Sequence, residues 1–318
     1  MPEAGEILKR LVFLLILMFI GIPSGLWILF ETGALSNVRT VDNIKRPPSL
    51  TIYDKISKIG LVKPSSVKEQ ETIYNNKNIS QDNQILIKQI KEEFLYSPSK
   101  LSYNLKDHTN FNPSMGQTNE IRKILGYQKN GFFVECGALD GETGSNTLVF
   151  EKKLGWSGLL IEGDPKNFQL LQKKNRKSWS INTCLSSKPY PNTVLFEQKF
   201  NVGKISNLSP SNSRKGYAKV HCLPLYSILR ALGTTTVDYF SLSVQGLELQ
   251  VLKTIPWDRV NIRTLSVEFT YGKKGQFSIV NYMLHKGYYV YSEVIHPDEI
   301  VKDFIFYRKD VVPKQSND

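Results

Sequence analysis

Histidine and cysteine are scarce in this chain, and long runs of one charge sign are missing. The 318 residues include four histidines and three cysteines. No Cys/His cluster has zinc-site spacing and no histidine is paired with a plausible nucleophile, so neither a zinc site nor a hydrolase triad is expected. Lysine and arginine (41) outnumber aspartate and glutamate (29), but no basic run is long enough for a nucleic-acid-binding arm. The net charge of +12 therefore indicates a solvated basic surface, and no nucleic-acid ligand is expected. No metal ligand is expected either, because no Cys/His cluster has the spacing of a metal site.

The three cysteines allow at most one disulfide within the chain, and an oxidising compartment would favour one. Cys184 and Cys222 are both expected near strand ends, which makes them the candidate pair. Cys136 lies in the first predicted strand of the folded domain and is expected to be a small buried residue.

One long apolar run stands near the amino terminus. Residues 11–30 carry no charge, and roughly 20 apolar residues are enough to cross a bilayer as a helix. Lys9 and Arg10 precede the run, so the positive-inside rule places the amino terminus in the cytosol and the rest of the chain in the secretory lumen. The alternative is a cleaved signal peptide, for which Thr32-Gly33-Ala34 is a passable site, although the apolar run is longer than such peptides use.

The sequence divides into five parts: a cytosolic tail (1–10), the transmembrane anchor (11–30), a polar lumenal stem (31–110), a folded domain (111–310) and a short tail (311–318). The stem is rich in Asn, Lys, Gln and Ser, and it holds the glycosylation sequon Asn78-Ile79-Ser80. Its apolar residues Ile85, Ile87, Ile90 and Phe94 suit one amphipathic helix, which either docks on the domain or belongs to a partner.

The folded domain is built around residues 132–165. An apolar run from Phe132 ends on Glu135, a glycine turn and a helix over 145–153 follow, and a second apolar run ends on Glu162. This order of strand, turn, helix and strand predicts a βαβ unit. Strands and helices alternate as far as residue 307, with 201–219 as a loop rich in Gly, Asn and Ser. The sequence therefore predicts an α/β fold with a mostly parallel sheet and ligands at the carboxyl ends of its strands.

The glycine turn does not fit the dinucleotide fingerprint, because Leu139 stands where G-x-G-x-x-G needs its middle glycine. The pattern acid-x-Gly-x-x-x-Gly resembles instead the first motif of class I S-adenosylmethionine methyltransferases, which have a Rossmann-like fold. In that family the first acid lies near the methionine amino group and the acid of the next strand binds the ribose. The resemblance implies cofactor contacts from Glu135, Gly137, Gly141, Glu162 and Asp164. The alternative is an ordinary α/β core with a glycine turn.

Several blocks in order make the resemblance narrower. GFFVECGALDGE, SNTL, GLLIEGDPKNF, VDYFSLSVQG and VLKTIPWDRVNI are similar to the FkbM-type methyltransferase domain, and most similar to its arthropod Star-related branch. The match runs over about residues 117–309. It implies a single-pass type II protein of the endoplasmic reticulum and Golgi, with endosome or plasma membrane as further locations. It also implies a carrier that helps membrane-bound growth-factor precursors, ligands of the EGF receptor, to leave the endoplasmic reticulum.

The chain departs from the family at the end of the fourth strand. The family pattern Ser-Leu-Asp-Val-Glu-Gly is replaced here by 241–246, so that Ser243 and Gln245 stand where two carboxylates are expected. A carboxylate at this place can act as a base or hold a cation. Glu248 and Glu268 are the acids that remain as possible catalytic residues. The favoured hypothesis is a degenerate, inactive domain, and the alternative is an active O-methyltransferase acting on a small molecule or glycan.

Overall fold

The computed structural model describes residues 73–74, 76–110, 112–211, 214–269, 272–296 and 302–313. The predicted cytosolic tail, the anchor at 11–30 and the first part of the stem lie outside these residues, as does the end of the carboxyl-terminal tail. Within them, no helix combines the length and the apolar character that crossing a membrane needs. The described residues all fall in one compact unit, Ser65–Asp318.

An eight-stranded sheet forms the centre of this unit. In spatial order its strands are β1 (Leu95–Tyr96), β4 (Trp179–Asn182), β3 (Ser157–Glu162), β2 (Phe132–Cys136), β9 (Thr236–Leu242), β10 (Asn261–Glu268), β12 (Lys302–Arg308) and β11 (Tyr288–Ile295). The five strands from β4 to β10 run parallel, whereas β1, β12 and β11 join antiparallel to their inner neighbours. The predicted α/β fold with a mostly parallel sheet is thus confirmed.

The chain order creates a switch point in the middle of the sheet. From β2 the chain moves outward to β3 on one side, and it later returns to place β9 on the other side of β2. The two connections leave β2 and β9 in opposite directions, so a crevice opens above their carboxyl ends. Open α/β sheets bind their ligands at such a crevice.

Seven α-helices have described bounds. They are α1 (Gln84–Gln89), α2 (Gln117–Leu125), α3 (Leu148–Leu154), α4 (Pro165–Gln172), α5 (Leu225–Leu232), α6 (Glu248–Thr254) and α7 (Gly272–His285). Successive side chains of a strand point to opposite faces, so Phe133 packs in one apolar core with α2, α3 and α4, and Val134 packs in the other with α5, α6 and α7. Apolar cores on both faces explain why the parallel strands read as near-continuous apolar runs.

A second sheet of four strands lies in the segment between β4 and α5. It contains β5 (Cys184–Leu185), β6 (Asn192–Glu197), β7 (Lys204–Ser206) and β8 (Tyr217–Leu223), in the order β5-β8-β6-β7. The prediction of a loop over 201–219 is therefore wrong at both ends, because short strands there pair with β6 on either side. Cys184 and Cys222 face each other across β5 and β8 and form a disulfide, which confirms the predicted pairing. Cys136 is free and buried, as predicted.

The last part of the predicted stem belongs to the folded unit. The Asn83 side chain caps α1, which continues as a π-helical turn over Ile90–Phe94. Leu86 and Ile90 are fully buried in the core, and β1 pairs with the outer edge of β4. The sequence predicted that the stem ends at 110 and the folded domain begins at 111. In the structure, residues before 110 already pack on the domain. Of the two alternatives for the amphipathic helix, docking on the domain is the one observed.

Candidate functional site

A cavity of about 130 Å³ opens at the carboxyl ends of β2, β3 and β9. Its inner wall is formed by the main sheet and by the connections that leave its strands. Its outer wall is formed by the second sheet, mainly by the β6–β7 hairpin. The inner wall includes Gly137, Leu139, Glu162, Gly163, Ser243 and Gln245, and the outer wall includes Phe196, Phe200, Gly203, Lys204 and Ile205. The cavity thus lies where the sequence predicted a ligand, and the second sheet closes it from a side that the sequence did not predict.

The glycine turn after β2 brings two strand ends together. Gly137 has φ +85° and its N–H donates to the carbonyl of Ile161 on β3, 3.0 Å away. A Cβ atom at Gly137 would lie 2.6 Å from the carbonyl oxygen of Ser243, after β9. Only glycine therefore fits, for the positive φ and for the close approach. Gly141 also has a positive φ, +79°, but it packs against Leu171 of α4 and does not line the cavity.

Glu162 is the predicted site residue that faces the cavity with a carboxylate. It is 5% exposed, and its two oxygens accept hydrogen bonds from the backbone N–H groups of Leu139 and Asp164, each at 2.8 Å. Burial raises the pKa of Glu162 to about 7, while those two amides oppose the shift. Each oxygen keeps a further lone pair, so the residue fits the recognition of a pair of hydroxyl groups.

Glu135 lies below the glycine turn and does not line the cavity. Its carboxylate accepts hydrogen bonds from the Ser145 hydroxyl (2.9 Å), the Asn146 N–H (2.7 Å) and the Thr147 hydroxyl. Burial raises the pKa of Glu135, and the nearby Arg176 guanidinium opposes that shift. This acid therefore fixes the start of α3 against β2, and the structure does not bring it to the place predicted for a cofactor amino group.

Arg176 is a buried positioning residue that the sequence did not reveal. Its side chain is 2% exposed and pairs with Glu151 of α3, with 3.0 Å between Nε and Oε1. Its guanidinium also donates to the Gly141 carbonyl and to the Ser145 and Thr147 hydroxyls. The glycine turn and α3 are therefore held from below by one cation. In the sequence Arg176 stands in the basic run KKNRK, which is typical of a solvated surface.

Asp164 joins the main sheet to the second sheet. Its side chain caps α4 by accepting from the Lys166 N–H (2.8 Å), and the same oxygen accepts from Gln198 Nε2 after β6 (2.7 Å). The neighbouring Gly163 lies under the Phe196 ring, because a Cβ at Gly163 would be 3.0 Å from that ring. Asp164 does not itself line the cavity. The predicted cofactor contact is thus used to hold the cavity's outer wall.

The two neutral residues at the end of β9 contact one acid. The Ser243 hydroxyl donates to Glu268 Oε2, and Gln245 Nε2 lies 3.3 and 3.4 Å from the two oxygens of the same carboxylate. Glu268 ends β10 and is 7% exposed. Gln245 has φ +53°, an uncommon backbone conformation for a residue with a side chain. Two donors therefore converge on Glu268 at the place where the family pattern would bring two more carboxylates.

Glu248 is the first residue of α6 and holds the turn that precedes this helix. Its carboxylate accepts from the N–H groups of Val244 (2.9 Å) and Gly246 (3.0 Å), and it is 3% exposed at the beginning of α6. Burial raises its pKa. With these bonds Glu248 orders the turn that carries Gln245, so its observed contacts are those of a structural residue.

The donor set of the cavity fits part of S-adenosylmethionine. Glu162 suits the ribose hydroxyls, and Leu139, Phe196 and Phe200 give apolar walls. Pockets for ligands of this size typically measure about 300–1,000 Å³, so a cavity of about 130 Å³ does not hold the whole cofactor unless the outer wall moves. Among the described residues, no group of three or more His, Cys, Asp or Glu side chains is arranged to hold a metal ion.

Residues 135–290 match the family described as methyltransferase FkbM domain. With the strand order above, this match gives the matched residues a Rossmann-like methyltransferase fold and the character of a methyltransferase-like FkbM domain. The search of curated proteins gives no significant match.

Solved structures with similarity include the methyltransferase FkbM from Methylobacillus flagellatus KT, 17% identical over 56% of this chain, with a TM-score of 0.40. This chain spans 44% of that protein's length. A methyltransferase from Pyrococcus furiosus is 12% identical over 66% of this chain and 89% of its own, with a TM-score of 0.36. The human methyltransferase 10 domain containing protein is 11% identical over 71% of this chain and 95% of its own, with a TM-score of 0.35.

Proposed function

We propose that this chain, which carries a methyltransferase-like FkbM domain, is a single-pass membrane protein whose domain binds cargo and does not transfer methyl groups. Residues 11–30 anchor it, and the domain lies on the lumenal side of the endoplasmic reticulum and Golgi membranes. In this proposal it assists the export of membrane-bound cargo such as precursors of EGF-receptor ligands, as the Star-like sequence blocks suggest. The domain then acts as a recognition surface on a methyltransferase scaffold.

The bonding of Ser243 and Gln245 to Glu268 carries the proposal. A methyl transfer to a hydroxyl needs a group that accepts the hydroxyl proton, and at this strand end both expected acids are neutral. The acid that remains is engaged by the donors that replaced them. A missing general base typically lowers a rate by about 10²–10⁴-fold. The cavity volume of about 130 Å³ agrees with a site that does not take up the whole cofactor in this conformation.

The disulfide supports the lumenal placement. Disulfides persist in oxidising compartments and are rare in the cytosol, and Cys184–Cys222 joins two strands next to the cavity. Asn78 is exposed on a turn, so its sequon is accessible to a glycosyltransferase.

Topology is tested by expressing the full chain in cells and following gel mobility. Asn78→Gln should remove a glycosidase-sensitive shift. Asn207→Gln, in the poorer sequon followed by Pro210, should change mobility little. A glycosidase-insensitive protein whose carboxyl terminus is cut by protease outside sealed microsomes would reverse the orientation.

Function is tested by comparing cargo export in cells that carry Glu162→Gln or the control Glu92→Gln, an exposed glutamate of the docked segment. The proposal expects both variants to export cargo as the parent does. Loss of export with Glu162→Gln alone, in a folded and abundant protein, would show that cofactor binding is required.

A second candidate is an active O-methyltransferase acting on a small molecule or glycan, and Glu162 favours it. This acid lies in the cavity with lone pairs for two hydroxyl groups. When bound, S-adenosylmethionine would supply the methyl group. Calorimetric titration of the purified full chain in detergent distinguishes the two functions. Saturable binding that Glu162→Gln abolishes would support the enzyme, and no binding in the parent would support the scaffold.

A further inference from the structure

The β6–β7 hairpin ends in a basic tip at the mouth of the cavity. We define the tip as Lys199, Phe200, Val202, Lys204, Arg214 and Lys215. The pairing of Glu197 with both Lys204 and Tyr217 brings the start of β7 and the start of β8 to the same end of the sheet. The four basic side chains of the tip are exposed. Residues that are distant in sequence thus form one surface.

One acid lies among these four cations. Glu197 forms an ion pair with Lys199, with 2.8 Å between the charged atoms. Lys204 lies opposite Glu197 across the β6–β7 pair, and the hydrogen bond from Lys199, together with the charges of Lys204 and Arg214, lowers the pKa of Glu197. The tip therefore keeps an excess of positive charge after its internal ion pair is counted.

Apolar side chains stand between the basic ones. Phe200 and Val202 belong to a 3₁₀ turn at the end of the hairpin, and each is 51% exposed. A partly exposed aromatic ring beside basic residues is typical of surfaces that lie in the interface of an anionic membrane. There the ring enters the boundary between headgroups and acyl chains, while the cations meet anionic headgroups.

The tip is held in place by the rest of the domain. Asn167 of α4 is buried and donates from Nδ2 to the Phe200 carbonyl (2.8 Å). Gln198 bonds the Asp164 side chain through Nε2 and the Gly216 carbonyl through its N–H (2.8 Å). A surface fixed in this way transmits its orientation to the whole domain.

We propose that this tip docks the domain on an anionic lipid membrane. Its positive charge complements anionic headgroups, and its two half-exposed apolar side chains insert without needing a shaped protein partner. Because Phe200 and Lys204 also line the cavity, docking turns the cavity mouth toward the lipid. Docking requires neither methyl transfer nor cargo export, so it stands or falls independently of the function proposed above.

The test places an environment-sensitive fluorophore on the full chain by Val202→Cys, with Tyr127→Cys as the control position. Tyr127 is 74% exposed and lies before the amino end of β2. The cavity lies at the opposite, carboxyl ends of the strands. The protein is reconstituted with vesicles of phosphatidylcholine alone, or of equal parts phosphatidylcholine and phosphatidylserine. Brominated acyl chains serve as quenchers.

The fluorophore at 202 should be quenched in the anionic vesicles and not in phosphatidylcholine, and salt should reverse the quenching. The fluorophore at 127 should not respond to lipid composition. Each basic residue near an anionic surface contributes about a fivefold change in binding, so K204Q/R214Q/K215Q should reduce the anionic-lipid-dependent quenching by at least about tenfold. K100Q/K129Q/K253Q removes the same charge from exposed positions elsewhere and should leave the quenching intact.

Equal signals at 202 in both lipids would overturn the proposal, and so would equal losses in the two triple variants. A response to soluble polyglutamate that matches or exceeds the response to anionic vesicles would assign the tip to an acidic protein instead. Phe200→Ser keeps every charge of the tip, so it should leave binding partly intact and reduce the depth at which the fluorophore is quenched. Circular dichroism of each variant verifies that the domain remains folded.

Discussion

The two sides of the switch point hold their strand-end carboxylates in different ways, although Glu248, on the helix of the second side, also accepts from backbone N–H groups. After β2 and β3, Glu135 and Glu162 accept hydrogen bonds from backbone N–H groups and, for Glu135, from hydroxyls as well. After β9 and β10, Glu268 is bonded by the side chains of Ser243 and Gln245. The first side keeps the acids of the family pattern, and the second side has replaced two of them.

This difference separates acids that order the backbone of the site from side chains that could take part in a reaction. Backbone amides are fixed by the fold, so the acids of the first side are needed to order the glycine turn whether or not a ligand binds. Side-chain donors can be exchanged without altering the fold, so the second side is free to change. A chain that lost methyl transfer would therefore be expected to lose acids on the second side first.

We expect the largest loss of stability from Arg176→Met, which acts on the β2–β3 side of the switch point. The variant leaves Glu151 buried without its cation, and removal of one partner of a buried ion pair typically costs about 3–5 kcal/mol. Thermal and urea unfolding would measure the loss. Lys123→Met breaks an exposed pair with Glu120 and should cost less than about 1 kcal/mol. Similar losses in the two variants would mean that Arg176 does not hold the turn.

The link between the two sides is tested by Gly137→Val. The side chain would be forced into the Ser243 carbonyl at a positive φ, and backbone strain of this kind costs about 1–3 kcal/mol before the clash is added. Gly144→Ala is the matched control, because Gly144 has φ +65° with no atom near its Cβ position. The control should lose about 1 kcal/mol. A Gly137 variant as stable as the control would show that the two strand ends are not in close contact.

The stability contributed by the protonated carboxyls of Glu162 and Asp303 should fall as pH rises from about 4 to 7, whereas buried His221, whose pKa is lowered from 6.5 to about 4, contributes with the opposite sign in this window. Burial raises the pKa of Glu162 from 4.5 to about 7 and that of Asp303, paired with Gln117, from 3.8 to about 7. The unfolded chain loses these protons first, so deprotonation stabilises the unfolded state within this window, by an amount on the order of 3–4 kcal/mol per group at most.

Unfolding free energies measured across this pH range give the slope. Asp303→Asn and Glu162→Gln should each remove part of the fall in stability with rising pH, and Asp258→Asn, at an exposed position, should leave the slope unchanged. A parent protein that gains stability between pH 4 and 7, with a slope that neither variant changes, would contradict the assigned shifts.

The contacts on the β9–β10 side are tested by the double variant Ser243→Asp with Gln245→Glu. Two new carboxylates beside Glu268 repel it, and we expect a loss of about 1–2 kcal/mol at pH 8 that shrinks at pH 5 as the cluster binds protons. Cargo export should stay unchanged. Ser243→Asn, a neutral side chain of the same shape as aspartate, should show no such pH dependence. A double variant as stable as the parent at pH 8 would mean that the three side chains do not meet.

The central βαβ unit was predictable because its signal is local. Apolar runs that end on Glu135 and Glu162, with glycines between them, specify strands and a turn within about 30 residues. The disulfide was also predictable, since Cys184 and Cys222 were both expected near strand ends. The position of Glu162 at the cavity follows from the same rule about strand ends.

The contacts that were missed are distant in sequence. Strand β7 has three residues, and both β7 and the start of β8 adjoin a segment rich in Gly, Asn and Ser, so their pairing with β6 gives no clear local signal. Arg176 stands among lysines, and nothing in its neighbourhood indicates that it is buried against Glu151. The docking of Leu86 and Ile90 depends on a groove that exists only once the domain has folded. In each case the determining partner lies elsewhere along the chain.

The docked segment, whose described residues before β1 are 73–74 and 76–94, also has a mechanical consequence. Tension applied to the chain from its amino-terminal side is not taken up by an unattached segment at the domain surface. It acts first on Tyr74, which is buried in the core and stacks on His221, then on the Asp82–Arg259 ion pair and the buried side chains Leu86 and Ile90, and finally on the two-residue pairing of β1 with β4. Tension from that side is therefore transmitted into the core of the sheet, and the edge next to β4 is where the domain would begin to open.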